Sequence, residues 1–542
     1  MNCNNCTLSF EVTDEDRAFY KKIDVPKPTH CSTCRMQRRF AVRNERFLYP
    51  DECDLCHKKM ISAYSPDKPF KVYCTDCWHS DKWNAEDYSQ DFDFSRPFFE
   101  QFAELQLAVP RINLAVMNAD NCEYSNYVAD TKNCYLCFGS IHCEDCLYGS
   151  PYESKDCVDT FLARECEMCY ECVDTEKSYS CSYCQDCSNC SNCLFCYDCR
   201  GCKDCIGSAL LRNKQYYIFN EPHTKEEYEA KKASLNTGSY SIMQTLHQRY
   251  TDNLSKYPRK YAQNLQCENS TGNYIIKCKN THQCFDVKHL EDCSYCAQVI
   301  DGKDSHDINY CEHFELAYDY IGFDDNYDIK FSNTCGHVKF TTYSAFCHTS
   351  ENLFGSIALH HKKNCILNKQ YTPEEYSKLK LQIINYMKKT GEYGEFFPVS
   401  ISPFAYNETV AHQYLPEVKE AIMAKGWKWK EKDKKEYKPQ SFAIPDDIND
   451  VGDDVLKQAL ACNSCGKNYR IIPQELKFYK KQHLPLPRAC PDCRYDARLS
   501  IRPPRKLWER SCNSCDLLVQ STYPPEDKSM VLCDDCYLKE IN

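Results

Sequence analysis

The sequence predicts a multidomain, mainly β protein in which two small cysteine modules flank two tandem β-solenoid-like repeats with connecting helices. Three observations predict it. An eight-cysteine block at the amino end returns at the carboxy end, the stretch between the blocks is itself duplicated, and that stretch is built of short apolar units punctuated by Gly, Ser, Asn and Asp. The division that follows is a first module over residues 1–80, a helical connector over 81–118, and a first, cysteine-rich solenoid repeat with its closing helix over 119–262. A second repeat with its closing helix spans 263–392, a helical connector and acidic linker 393–458, and the second module 459–542.

Cysteine is the feature to explain, with 43 in 542 residues and an ordinary 42% hydrophobic content. Met1 to Asp14 lack a basic start followed by an apolar core, so no secretory signal is read. No apolar stretch reaches 18 residues, so no membrane helix is expected. The expected location is a reducing cytoplasm, where thiols stay free or bind metal instead of forming a disulfide framework.

The first module reads Cys3-x-x-Cys6, Cys31-x-x-Cys34, Cys53-x-x-Cys56 and Cys74-x-x-Cys77; the second reads Cys462/Cys465, Cys490/Cys493, Cys512/Cys515 and Cys533/Cys536. All eight recur at an offset of 459, as do Phe19-Tyr20 with Phe478-Tyr479, Pro26 and Pro28 with Pro485 and Pro487, Arg35 with Arg494, Arg39 with Arg498, and Tyr64 with Tyr523. A CxxC knuckle converges two thiolates, and two knuckles complete the closed tetrahedral shell of a structural zinc, giving about four ions per chain. A closed shell leaves no open position for substrate or water, which excludes the usual catalytic zinc. Thiolate softness also admits iron, copper(I) or an iron–sulfur cluster. Knuckles either pair with their neighbours or interleave; the neighbour pairing is favoured, because the gap from Cys6 to Cys31 accommodates a short helix, opened by Thr13 as N-cap and running through Arg17 to Tyr20.

Cys-x-x-Cys, a Phe-Tyr pair, a proline-rich approach and Cys-x-x-Cys-Arg resemble the zinc-ribbon, treble-clef-like domains of uncharacterised cysteine-rich bacterial proteins. The resemblance covers roughly the first 50 residues of each module closely and the rest in outline. It implies zinc at Cys3, Cys6, Cys31, Cys34 and their 459-shifted partners, and implies no activity.

Net charge is −11, yet residues 460–510 hold 12 Lys/Arg against 4 Asp/Glu and residues 1–50 hold 9 against 6. Arginines cluster after the second knuckle of each module: Arg35, Arg38, Arg39, Arg43 and Arg46 in one, Arg494, Arg498, Arg502, Arg505 and Arg510 in the other. Arg35, Arg38, Arg39, Arg494, Arg498, Arg502 and Arg505 are the nucleic-acid candidates, since basic ribbons present such side chains to phosphate. The alternative is a solvated basic strand, or arginines paired with the acidic middle of the chain.

Between the modules, Ile206-Gly207-Ser208 to Tyr228 matches Phe354-Gly355-Ser356 to Tyr376 at an offset of 148, and Asn126-Tyr127, Cys137-Phe138 and Glu144-Asp145-Cys146 match at 147. Thr224-Lys-Glu-Glu227 and Thr372-Pro-Glu-Glu375 are capping boxes that open a closing helix in each copy. Ahead of them, Phe138-Gly139-Ser140, Tyr148-Gly149-Ser150 and their relatives mark units about ten residues long, which read as a stacked β-solenoid. Eighteen cysteines lie between Cys122 and Cys205, with every third residue from Cys181 to Cys205 a cysteine. They either ligate extra zinc or an iron–sulfur cluster, or pack as ladders in a narrow interior. The second copy keeps the rhythm with nine cysteines and more Tyr, Phe, Ile and Val, which favours packing.

A helix from Phe98 to Val109 is expected to dock the first module, a second runs from about Pro416 to Lys425 and stops at Gly426, and Asp446 to Asp454 reads as an acidic linker. His360-His361, Cys335-Gly-His337 and Cys347-His348 sit in the solenoid rhythm and read as polar edge residues. No Walker loop, dinucleotide fingerprint, HExxH or nucleophile elbow occurs. The expectation is a non-enzymatic zinc-binding scaffold or adaptor whose terminal modules contact a macromolecular partner such as RNA or a ribonucleoprotein. Its counterpart is a metal-handling or redox protein that uses the cysteine-dense solenoid.

Overall fold

A computed structural model describes residues 1–322, 326–431 and 436–541. The fold is mainly β, a β-solenoid of about 20 turns accompanied, among the described residues, by twelve helices. None of the described helices is long and apolar enough to cross a membrane.

The coil is twelve residues long, not the ten that the marker motifs predict. Backbone bridges join Glu167 to Tyr179, Tyr170 to Ser182 and Val173 to Gln185 in the first repeat, and Gly336 to His348 to His360 in the second. Each coil advances in four three-residue steps. The first residue of a step bridges to the next coil, the second takes the left-handed conformation, and the third points inward. In one coil the second positions are Met168, Glu171, Asp174 and Lys177, with φ between +48 and +54°. Non-glycine residues resist this region at a cost of about 1–2 kcal/mol each, so the neighbouring coils must hold them there. They do so through paired backbone bonds: Tyr170 N–H donates to Cys181 O at 2.9 Å, and Glu171 N–H donates back to Val158 O at 3.2 Å. No coil is satisfied alone.

The marker motifs follow from this step. Gly139, Gly207 and Gly355 occupy the left-handed position at φ +62, +64 and +62°, and Ser140, Ser208 and Ser356 are the inward residues, fully buried. Gly149 has a different cause, since a Cβ there would lie 2.1 Å from the Thr160 carbonyl oxygen.

Inward cysteines behave as core residues with a weak donor. The Cys172 thiol lies 3.4 Å from both Tyr170 O and Cys181 O, and Thr175 Oγ1, one step on, makes the same pair of bonds to Val173 O and Cys184 O at 3.1 and 3.3 Å. The second repeat fills equivalent positions with Ile275, Val287, Leu290, Val299 and Ile308, all buried. Both repeats close as the capping boxes predict. Gln215–Ile218 turns into the antiparallel Glu221–Pro222 and then the helix Lys225–Ser234; Lys363–Ile366 turns into Lys369–Gln370 and then the helix Pro373–Thr390, with Thr224/Glu227 and Thr372/Glu375 reciprocally bonded.

The helix Phe98–Ala108 docks on the second repeat: its first two amides donate to the Glu392 carboxylate at 3.0 and 2.8 Å, and the Phe98 ring packs on Tyr343 and Phe354. The shorter helix Lys419–Ala424 ends before Gly426, in the left-handed region. The acidic segment after it is held down at its start. Asp446 accepts from the Ser241 amide and the Ser239 hydroxyl, and Asp447 from Asn236 and the Asn449 amide.

Because Ser and Thr already occupy inward positions with the cysteine hydrogen-bond pattern, Cys187→Ser keeps both acceptors, Gln185 O and Cys196 O. Chemical denaturation should show a stability change within about 1.5 kcal/mol.

Candidate metal centres and the docking of the modules

Four groups of four thiols converge: Cys3, Cys6, Cys31 and Cys34; Cys53, Cys56, Cys74 and Cys77; Cys462, Cys465, Cys490 and Cys493; and Cys512, Cys515, Cys533 and Cys536, with all sulfurs of a group within 4.8 Å. Neighbouring knuckles share a site, and the interleaved alternative is not what forms. The sulfur pairs Cys6–Cys31, Cys56–Cys74 and Cys465–Cys490 at 3.8 Å and Cys515–Cys533 at 3.7 Å fit a tetrahedral shell, since metal–sulfur bonds of about 2.3 Å put tetrahedral sulfurs roughly 3.8 Å apart. The four groups can each hold a metal ion.

Local structure aims the thiols. In the first module the helix Asp14–Lys22 starts at Thr13, whose hydroxyl accepts from the Asp16 amide while Asp16 accepts from the Thr13 amide. Cys31 and Cys490 are the N-caps of the helices Ser32–Phe40 and Pro491–Ser500; the Cys34 thiol brings Cys31 down to about 5, whereas burial pushes Cys490 up to about 11. Backbone amides also donate to sulfur, Cys74 N–H to Cys53 at 3.2 Å and Cys533 N–H to Cys512 at 3.3 Å. Burial pushes the Cys53, Cys462 and Cys512 thiols up, but the amides of Cys74, Cys490 and Cys533 and of their own knuckles together bring each down to about 6.

The arginines do not face solvent. Arg35 pairs with Asp307 at 2.8 Å; Arg39 with Asp307 at 2.8 Å and Asp319 at 3.3 Å; Arg38 with Asp319 and with Glu395. In the other module, Arg494 reaches Asp159 at 2.8 Å and Glu475 at 3.3 Å, Arg498 reaches Asp159 at 2.9 Å and Glu171 at 2.8 Å, Arg502 joins Asp174 and Asp286, and Arg505 joins Asp286. All seven are buried, Arg39 at 0% exposure and Arg502, the most accessible, at 9%. The expectation that they meet phosphate is corrected here: the guanidinium groups are spent on the acidic middle of the chain, as the alternative reading had it. Arg43 and Arg46 lie over the Tyr127 and Tyr495 rings, and Arg510 donates to Pro524 O and Ser529 O.

The two docks are copies of each other. Asp159 and Glu171 become Asp307 and Asp319 at the solenoid offset of 148, while Arg494 and Arg498 are Arg35 and Arg39 plus 459. Tyr148 donates to Glu475 at 2.8 Å and Tyr295 donates to Asp16 at 2.9 Å; Tyr479 packs on Tyr170 and Tyr20 on Tyr318. Yet the first module grips the second repeat and the second module grips the first. Each module also pairs a short parallel strand with the chain entering the other repeat, Val72–Tyr73 with Arg111–Ile112 and Val531–Leu532 with Arg259–Lys260. Every module therefore bridges both solenoids.

Where the solenoids meet, a cleft of about 450 Å³ is lined by Tyr152, Arg164, Asp186, Tyr274, Lys288 and Ile300 among others. Tyr274 donates to Asp186 at 2.7 Å and Lys288 pairs with Glu176. Burial, reinforced by the Asp174 charge, pushes the Asp186 carboxyl up to about 8; burial likewise raises Asp174 to about 6 against the pull of Arg502. These carboxylates lacked any signal in the sequence beyond lying at left-handed steps.

Among the described residues, groups of three or more thiols, imidazoles or carboxylates within 4.8 Å occur only at the four terminal sites. The interior cysteines of the first repeat therefore stack as ladders without forming four-thiol shells. His348 and His360 stack face to face at 5.2 Å along one edge of the second repeat; burial lowers both to about 4, helped at His348 by the His360 charge and at His360 by His79 and His361.

No protein-family model matches the chain, and no curated protein matches it. Among solved structures, a putative acetyltransferase from Desulfovibrio desulfuricans G20 aligns at 10% identity over 52% of this chain and 79% of that one, with a TM-score of 0.10, a likeness that carries no argument. The four cysteine groups are compatible with zinc-ribbon-like modules, and no family match bears on that resemblance.

Arg39→Ala takes one of two arginines from each of Asp307 and Asp319, and Arg498→Ala takes one of two from Asp159 and the arginine partner of Glu171; each should cost about 3–5 kcal/mol in denaturant unfolding. The equal size of the two losses is the check on the duplicated dock. For Asp186 the folded pKa lies above the unfolded one, so its contribution is present at acidic pH and is lost as pH rises through about 8. Wild-type melting temperature should fall as pH rises from about 4 to about 8 and level off above that, and Asp186→Asn should flatten that fall by on the order of a few degrees.

Proposed function

We propose that the chain is a non-enzymatic zinc-binding scaffold or adaptor. Four structural zinc ions fold the terminal modules, the modules clamp the two solenoids side by side, and the cleft between the solenoids receives a segment of a protein partner. The observation that carries this reading is the duplicated arginine–carboxylate dock, because it assigns the modules an internal clamping task. The sulfur spacing supports zinc, whose closed four-thiolate sites contribute folding energy outright. A reducing compartment, the cytoplasm, suits a chain whose described cysteines are all free of disulfides.

The cleft carries both charge signs beside aromatic and aliphatic walls: Asp174, Glu176 and Asp286 against Arg164 and Lys288, with Tyr152 and Ile276 between them. That mixture suits a polypeptide better than a polyanion, and the arginines that argued for RNA lie buried. Elemental analysis of the native protein should find about four zinc ions per chain without visible absorbance, and strong chelation should lower the melting temperature of the whole assembly. A zinc-free native protein, or one whose stability ignores chelation, overturns the reading. RNA binding that weakens steeply with salt would move the partner from protein to nucleic acid.

A further inference from the structure

The first repeat contains one ladder that packing does not require. Cys122, Cys134, Cys146, Cys157, Cys169, Cys181, Cys193 and Cys205 recur once per coil, and the residue after each of Cys134, Cys146, Cys157, Cys169, Cys181 and Cys193 donates its amide to the carbonyl of the next cysteine in the column, so these cysteines stack in register. Seven of the eight are buried; Cys122 is half-exposed at the open first coil, beside the exposed Asn121 and Tyr124. In the second repeat every such run is short: Cys278 is followed by Leu290, Cys296 by Ile308 and Cys347 by Leu359, all buried in the same backbone register. Leucine and isoleucine thus satisfy the fold at these positions, and unbroken cysteine is more than the fold needs.

The geometry selects the ligand. Stacked coils stand about 4.7–4.9 Å apart, while a metal bound in line between two thiolates, with bonds near 2.3 Å, spaces its sulfurs by about 4.6 Å. Zinc and iron–sulfur clusters need four converging thiolates, which this column does not bring together. A soft monovalent ion is content with two, and among biological metals thiolate favours copper(I).

We infer that the cysteine ladder of the first solenoid binds copper(I), each ion held in line between thiolates of successive coils and entering at Cys122. Each thiol entering the chain of bonds gives up its proton to solvent. Eight thiols and the ions in the intervals between them lose eight protons, form seven S–Cu–S links and leave one net negative charge; copper and sulfur keep their oxidation states. This goes beyond the scaffold reading and does not depend on it.

The test is an anaerobic titration of the reduced, zinc-loaded full chain with copper(I), followed by desalting, counting of both metals and X-ray absorption. About seven or more copper ions per chain with two sulfur neighbours each, and zinc unchanged at about four, is the expected result. Cys157→Ser, which places at one rung a residue that Ser154 and Ser178 show is accepted inside this repeat, should remove about two copper ions with circular dichroism unchanged. Cys122→Ser should slow loading and remove about one, whereas Cys278→Ser in the second repeat should leave the count as it was. Copper bound only as zinc is ejected, three or more sulfurs per copper, or a count indifferent to Cys157→Ser and Cys122→Ser overturns the inference. Zinc is counted separately, so a failure of the scaffold reading shows in the zinc count and not in the copper.

Discussion

Two carboxylates, Asp159 and Asp307, carry the architecture. Each is fully buried between two arginines of a module. A carboxylate without a partner at such a place costs several kcal/mol, so the solenoid flank is stable only with a module on it. The module in turn holds one of its arginines through the backbone of a knuckle. Arg35 donates to His30 O and Arg494 to Ala489 O, in each case the carbonyl just before a cysteine of a converging four-thiol group. The converging thiols, the fold of the module and the packing of the solenoid are therefore linked through a few covalent bonds, and the link is present twice.

The duplication also explains an oddity of chain order. Along the sequence the order is module, repeat, repeat, module, but in space each module sits at the entrance of one repeat and on the flank of the other. The second half is thus a circular permutation of the first, with its module moved from before the repeat to after it. Small domains with their own folding nucleus tolerate such a move. It has a kinetic side: Asp159 and Glu171 of the first repeat have no arginine partner until the last module has been made and folded, so the long returning segment must be guided. The clamp of Asp446 and Asp447 on Ser239, Ser241 and Asn236 supplies one guide point before that module begins.

What the sequence exposed was the local and the periodic. CxxC pairs, the 459 offset and the threonine capping boxes need neighbours only a few residues away, and each took its expected form. The coil length was hidden because a three-residue step makes many spacings look alike, and because Phe138 and Tyr148 straddle a stretch where the stacking shortens to eleven, as in Glu144 to Lys155 and Leu147 to Val158. Left-handed positions filled by Met168, Tyr183 or Phe195 in place of Gly or Asn removed the usual turn signal. The arginines were misread for a different reason. Basic charge is visible along a chain, whereas its partners, 272 residues from Arg35 in the case of Asp307, are not.

The three-residue step separates fold from interior chemistry. Its shape is set by bridges between first positions and by left-handed second positions, and the inward residue contributes volume and at most a bond to two carbonyls. Thiol, hydroxyl and methyl groups all meet that demand, which is why two repeats in the same register contain eighteen and nine cysteines. In this chain inward positions are filled by Ser, Thr, Val, Ile and Leu as well as by Cys. An unbroken thiol column through eight coils is therefore better explained by chemistry along its axis than by packing across it.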